Sequence, residues 1–290
     1  MRMLLLLIAL TGQPQTPVTP PDPFRPVSGE IIRETRHFRI YAEDGYVPVD
    51  LDWFQTQLET VYADVAARMK IQADRKFDFT FRPPDTRPCP VRGLAMTARD
   101  NRPALAAIFI TEQTSHEEVL GITAHEVAHL FHFGAFQAGQ PNTSVTEGLA
   151  TWAAGQYWEA WHKQSPAEFV RSTRTNGNYV PPADLFRDEV WANSTATGAE
   201  CLAQRNLRYT SVAAFLDFLI ANYGMEKLKE LLGPPQLPVA PRPAPRMSAP
   251  FVFVGDQSRP PLPRLNFDGV YGRSLDELEK AWLEQLSKNP

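Results

Sequence analysis

Leu120-Gly121-Ile122-Thr123-Ala124-His125-Glu126-Val127-Ala128-His129-Leu130-Phe131 is the stretch on which the reading of this chain turns. Within it, His125-Glu126-Val127-Ala128-His129 forms an H-E-x-x-H pattern. Leu120, Ala124, Val127 and Phe131 recur at helical spacing, which predicts a helix anchored in a core on the opposite face. At about 3.6 residues per turn, positions 125 and 129 project from one face, one turn apart. Two imidazoles so placed can hold one zinc ion at about 2.1 Å. Glu126 is offset around the axis, where it reaches water beside a metal rather than the metal itself. That is the placement of a general base acting on a metal-activated nucleophile.

A catalytic zinc site takes three protein ligands and keeps one position open. The third must come from outside the first helix, and Glu147 in Thr146-Glu147-Gly148-Leu149-Ala150 is the candidate. Between the two motifs, Gly134 to Val145 is rich in Gly, Gln, Pro and Asn, so the chain can turn and lay a second helix on the first. The same glutamate has a second reading as a helix cap, since Ser144 to Glu147 also matches a capping box. His116 and His132 lie near the motif but off its face, which predicts a surface role or one behind the ligands. His162, beside Trp158 and Trp161, reads as a packing or surface residue.

Outward from the motif, the pattern is α+β and then mostly helix. Arg36 to Tyr41 and Lys76 to Phe81 alternate polar and apolar residues, as half-buried strands do. Between them, Leu51 to Met69 carries apolar residues at helical spacing. Ala104 to Ile110 (ALAAIFI) is a continuous apolar run, suited to a strand buried on both faces. Ser115 and Glu118 predict a capping box at the start of the motif helix. Downstream, Glu147 to Trp161 reads as one buried helix, Val212 to Leu232 as an amphipathic helix broken at Gly224, and Ser274 to Leu286 as a capped, charged helix.

HEVAH followed by EGLA resembles the gluzincin branch of zinc metallopeptidases, and specifically the small exported peptidase MA-like proteins. Weaker likenesses extend it over residues 30–290: HFRIYAE resembles the family's first strand, Tyr209-Thr210-Ser211-Val212 with Phe215-Leu216 its helix after the site, and Phe267 to Leu286 its closing segment. The resemblance implies a zincin-like α+β fold with an α/β upper subdomain, an active-site helix and a mostly helical lower subdomain. It implies one zinc ion on His125, His129 and Glu147, with Glu126 as catalytic base. Phenol or imidazole donors hold the oxyanion in related enzymes, which makes Tyr209 the candidate here; its other reading is a buried aromatic at a helix start. The chain departs from the aminopeptidase members. Arg92-Gly93-Leu94-Ala95-Met96-Thr97 lacks the glutamate of their G-x-M-E-N loop, which favours endopeptidase over aminopeptidase action.

Composition excludes several classes. The 290 residues are 43% hydrophobic and 21% charged, too apolar for a disordered chain. A net charge of −4 and a pI near 5.9, without Lys/Arg blocks, argue against nucleic acid as a partner, and the resemblance implies peptides or proteins as substrates. Mean hydropathy is −0.31, and the apolar run Met3 to Leu10 is too short to span a bilayer. That run fits the h-region of a secretory signal, so residues 1–12 are expected to direct export to the periplasm, cell surface or medium. Prolines crowd Pro14 to Pro26 and Pro234 to Pro263. Residues 13–29 therefore read as a tether, 30–290 as the peptidase domain, and 234–263 as a surface insertion within it. Cys89 and Cys201 permit one disulfide in an exported chain, or a free buried pair. Two competing functions keep this architecture without peptide hydrolysis: an inactive zinc-binding relative, and an extracytoplasmic binding module that uses its Pro-rich loop.

Overall fold

The computed structural model describes residues 27, 29–71, 74–97, 104–135, 142–187, 195–232 and 265–288. The expected signal, most of the tether and the Pro-rich insertion lie outside the described residues. So do residues 136–141 of the turn between the two motifs.

The sheet comes first along the chain. Strands β1 (Glu30–Glu34), β2 (Phe38–Ala42), β3 (Phe77–Arg82), β4 (Gly93–Met96) and β5 (Leu105–Phe109) form one sheet in the order β1-β2-β3-β5-β4. β2, β3 and β5 run parallel, in a register that sets Phe38 beside Phe77 and Phe79 beside Ala106. β1 and β4 are antiparallel edges. Parallel neighbours need a crossover, and helix α1 (Leu51–Met69) supplies it between β2 and β3. Asp50 caps α1 by accepting from the backbone N–H groups of Asp52 and Trp53. Phe54, Leu58, Val61, Val65 and Met69 then form its fully buried stripe. Phe54 packs against Phe79 and Phe81 at 5.2 and 4.9 Å between ring centroids, which fixes α1 to the sheet. All five residues of β5 are buried, as its unbroken apolar run predicted.

Helices follow β5. α2 (His116–Ala135) packs on β5, β4 and α1, and beneath α3 (Thr143–Ala154) and α4 (Gln156–His162). α5 (Pro166–Thr175) and the single turn α6 (Pro182–Leu185) lead to the long α7 (Gly198–Tyr223), which lies along α3. α8 (Met225–Leu232), α9 (Phe267–Tyr271) and α10 (Leu275–Lys288) complete the described chain. The sequence of strands with one helix, then helices, holds among these residues. None of their helices is long and apolar enough to cross a membrane.

Three helix limits differ from the sequence reading. The helix expected over Glu147 to Trp161 starts earlier, at Thr143, and breaks at Gly155 (φ 49°, ψ −122°). There Arg68 reaches in from α1: its Nε donates to the Trp152 carbonyl at 2.8 Å, and its guanidinium lies over the Trp152 ring. α7 begins at Gly198, well before Val212, because its polar first turns are held by contacts distant in sequence. It stops at Gly224 (φ 86°), as expected. At the start of α2 only half of the capping box forms. Ser115 Oγ accepts from the Glu118 N–H, while the Glu118 carboxylate is drawn instead into an ion pair with Arg92. The box at Ser274 is complete, with Glu277 reaching back to the Ser274 N–H.

Candidate metal centre

The site is assembled from α2 and α3. On α2, His125 and His129 stand one turn apart, 6% exposed each, with their Nε2 atoms 3.1 Å from one another. α3 is aimed by its first turn. Asn142 caps it, accepting from the Val145 N–H, and donates from Nδ2 to the Phe186 carbonyl at 2.6 Å. The Ser144 hydroxyl donates to the Leu185 carbonyl and accepts from Arg208 Nε. With Asn142 as cap and Ser144 engaged elsewhere, Glu147 does not serve as a cap. It projects at the histidines, with Oε2 3.1 Å from His125 Nε2 and 3.4 Å from His129 Nε2.

These three ligand atoms form a group that could hold a metal ion. Their spacing tests the fit. Ligands at about 2.1 Å from a tetrahedral ion stand about 3.4 Å from one another, and the three separations here are 3.1, 3.1 and 3.4 Å. Two imidazoles and one carboxylate are also the donors that zinc accepts. The charges are coupled accordingly. Burial disfavours the Glu147 carboxylate, but His129 and His125 outweigh it and hold Glu147 far below the usual range. Burial also pushes down the pKa of His125, with Glu147 opposing. For His129 the pull of Glu147 overcomes burial and raises it.

Glu126 lies beside this group, 5% exposed, where burial pushes its carboxyl up to about 8 against the pull of His129. Its carboxylate rests on the edge strand β4. A Cβ on Gly93 would stand 2.1 Å from Glu126 Oε1, so this close approach requires glycine. Tyr209 is brought in by α7. Its ring stacks on His125 at 5.9 Å between centroids, 17° from parallel. Burial raises its phenol, and the charge of Glu147 adds to the effect.

α7 presents one face to the site at three- and four-residue spacing. Cys201 is disulfide-bonded to Cys89, with Cα atoms 5.7 Å apart, so of the two readings of the cysteines the structure takes the bridge. Arg205 donates to the carbonyls of Pro90 and Cys89. Arg208 donates to Ser144, and Val212 packs where Gly148 leaves no room for a side chain.

The remaining histidines sort plainly. His116 stacks on Trp53 at the surface end of α2. His132 is 2% exposed, which rules out the surface reading; burial lowers it to about 4, and the charge of His129 adds to the effect. His162 packs between Trp158 and Trp161, as expected. Two participants were not read from the sequence. Thr151, fully buried one turn beyond Glu147, sets its Oγ1 3.3 Å from His125 Nδ1. That i+4 spacing was the available signal. Gly93 had none, because it meets Glu126 only through the fold.

No family model and no curated protein matches the chain. Among solved structures it is similar to an M1 zinc metallopeptidase from Deinococcus radiodurans. They are 16% identical over 74% of this chain and 52% of that one, with a TM-score of 0.31. The chain thus spans about half the length of that structure. The functional reading of the site stands on its own geometry.

Proposed function

We propose that the chain is an exported zinc-dependent peptidase of gluzincin type, with a zincin-like fold, acting as an endopeptidase on peptides or proteins outside the cytoplasm. The observation that carries this reading is the convergence of His125, His129 and Glu147 with the Glu126 carboxylate beside them. In this reading His125, His129 and Glu147 hold zinc, and Glu126 is the general base. Bound there, zinc supplies Lewis-acid polarisation of a carbonyl and acidification of water. The retained Glu126 favours chemistry over a purely structural site, which has no use for a base and is usually closed by four ligands.

The chain's own residues supply the rest. Glu126 takes the proton of the attacking water and passes it to the leaving amine. The phenol of Tyr209 donates to the developing oxyanion. Among the described residues β4 pairs only with β5, so its outer edge offers backbone donors and acceptors to an extended substrate next to Glu126. The α/β sheet region and the helical region would form the two walls of the cleft. The disulfide between Cys89 and Cys201 is in keeping with an oxidising compartment.

The test is mass spectrometry of a degenerate peptide pool incubated with the purified chain, a Glu126→Gln variant and a chelator-treated sample. Cleavage lost in both controls is the expected result. Cleavage that survives Glu126→Gln overturns the mechanism, and a folded, zinc-loaded chain that cuts nothing favours the inactive relative.

A further inference from the structure

We infer that Thr151 is a positioning residue for the metal centre: it accepts a hydrogen bond from His125 Nδ1 and so fixes the tautomer that leaves Nε2 a lone pair for the metal. This rests on the zinc reading above. Glu147 and Thr151 lie one turn apart on α3, and both touch the same imidazole. The Glu147 carboxylate is 3.1 Å from Nε2, and the Thr151 hydroxyl is 3.3 Å from Nδ1. Two aromatic neighbours flank the ring, Tyr209 stacked at 5.9 Å and Trp158 tilted by 32° at 5.8 Å between centroids, and they constrain its tilt and leave the choice of tautomer to its edges.

A neutral imidazole carries one proton, and a metal ligand needs its coordinating nitrogen bare. With Nε2 turned to the metal, the proton sits on Nδ1 and Thr151 Oγ1 is its acceptor. If Thr151 donated instead, Nε2 would carry the proton and aim it at Glu147, and a metal would bind only after that proton had moved, which weakens its hold. Thr151 is completely buried, so no solvent competes for either role. Valine has nearly the same shape without the oxygen, whereas serine keeps the oxygen and loses a methyl group. That pair separates hydrogen bonding from packing.

The experiment measures zinc affinity by competition with a chromophoric chelator for the wild-type chain, Thr151→Val and Thr151→Ser. Long-range nitrogen–proton NMR correlations on the zinc-loaded wild type report which His125 nitrogen carries the proton. Thr151→Val is expected to weaken zinc binding about ten- to a hundredfold, with Thr151→Ser within about threefold of wild type. The proton is expected on His125 Nδ1. A folded Thr151→Val variant with wild-type affinity overturns the inference, as does a His125 that binds through Nδ1. If the valine variant does not fold, the wild-type tautomer decides. A wild-type chain that takes up no zinc removes the zinc reading and this inference together, whereas normal wild-type uptake with an unchanged valine variant removes this inference alone.

Discussion

Gly93→Ala isolates the contribution of Glu126 without touching any proposed ligand. An added Cβ would stand 2.1 Å from Glu126 Oε1 and 2.6 Å from its Cδ and Cγ, where ordinary contact begins at 3.4 Å. The carboxyl must therefore retreat by about 1 Å. It cannot do so by a free swing of the side chain, because Glu126 is 5% exposed and α2 is packed on β4 and β5. A misplacement of about 1 Å at a reacting group costs on the order of a hundredfold in rate. Gly93→Ala should thus lower kcat about a hundredfold, through lost orientation rather than lost binding, and leave KM within a few-fold. Zinc uptake should be unchanged, since the three atoms nearest the new methyl are all on Glu126. The assay is steady-state cleavage of a fluorogenic peptide chosen from the pool experiment, with zinc content measured on the same samples. A folded, zinc-loaded Gly93→Ala enzyme whose kcat stays within about threefold of wild type would refute the placement of Glu126 against β4 as a catalytic constraint.

Two further outcomes test the frame around the site. The Cys89–Cys201 bridge spans 112 residues of sequence, and closing a loop of that size contributes at most about 5 kcal/mol through the unfolded chain. The double variant Cys89→Ser, Cys201→Ser should melt on the order of 10 °C lower; thermal melts that are the same with and without the bridge would show that the cross-link does not stabilise this fold. His162 supplies a pH dependence. Burial lowers it from 6.5 to about 4, so between those values the unfolded chain binds the extra proton and the folded chain does not. Stability must then fall as pH drops through that window, with a slope below about 1.4 kcal/mol per pH unit that partial exposure of the ring reduces further. Denaturant unfolding of wild type and His162→Phe at pH 7 and pH 5 should show the difference between them shift in favour of the phenylalanine variant at pH 5; a difference independent of pH would sink the assignment.

What the sequence made legible follows from the range of the forces involved. α1 was read from Leu51 to Met69 because its apolar stripe is local in sequence and runs the full length of the helix. His125 and His129 were legible for the same reason, as helix geometry alone sets them on one face. Glu147 needed a turn and a second helix, and the sequence left its capping role open. The structure resolves that alternative through Asn142 and Ser144, whose partners Phe186, Leu185 and Arg208 lie far along the chain. The break at Gly155 was missed because the segment is apolar on both sides of it, and the Arg68 contact that accompanies the break comes from another helix. Gly93 was quoted for the glutamate its strand lacks, while its packing on Glu126 depends on sheet order, which no local pattern encodes.

The long first half of α7 shows why such a site needs more than its motif. Nothing in Gly198 to Tyr209 reads as a core helix, yet this segment ties down both the loop before β4 and the start of α3. Its disulfide and Arg205 hold Cys89 and Pro90, just before β4, and Gly198 N–H donates to the Pro88 carbonyl at 2.6 Å. Within the same loop, Asp85 accepts from the backbone N–H groups of Arg87 and Val91. On the other side, Arg208 fixes Ser144 at the start of α3, and Tyr209 backs His125. One polar helix face therefore sets the position of the strand that Glu126 rests on and of the helix that carries Glu147. A base and its ligands are useful only when held to within about half an ångström of one another. Tying down the first half of α7 by a disulfide and polar contacts, while its second half buries Val212, Phe215, Leu216 and Leu219 in the core, is how this chain meets that requirement, and it is why the most informative part of the frame carries the weakest helical signal.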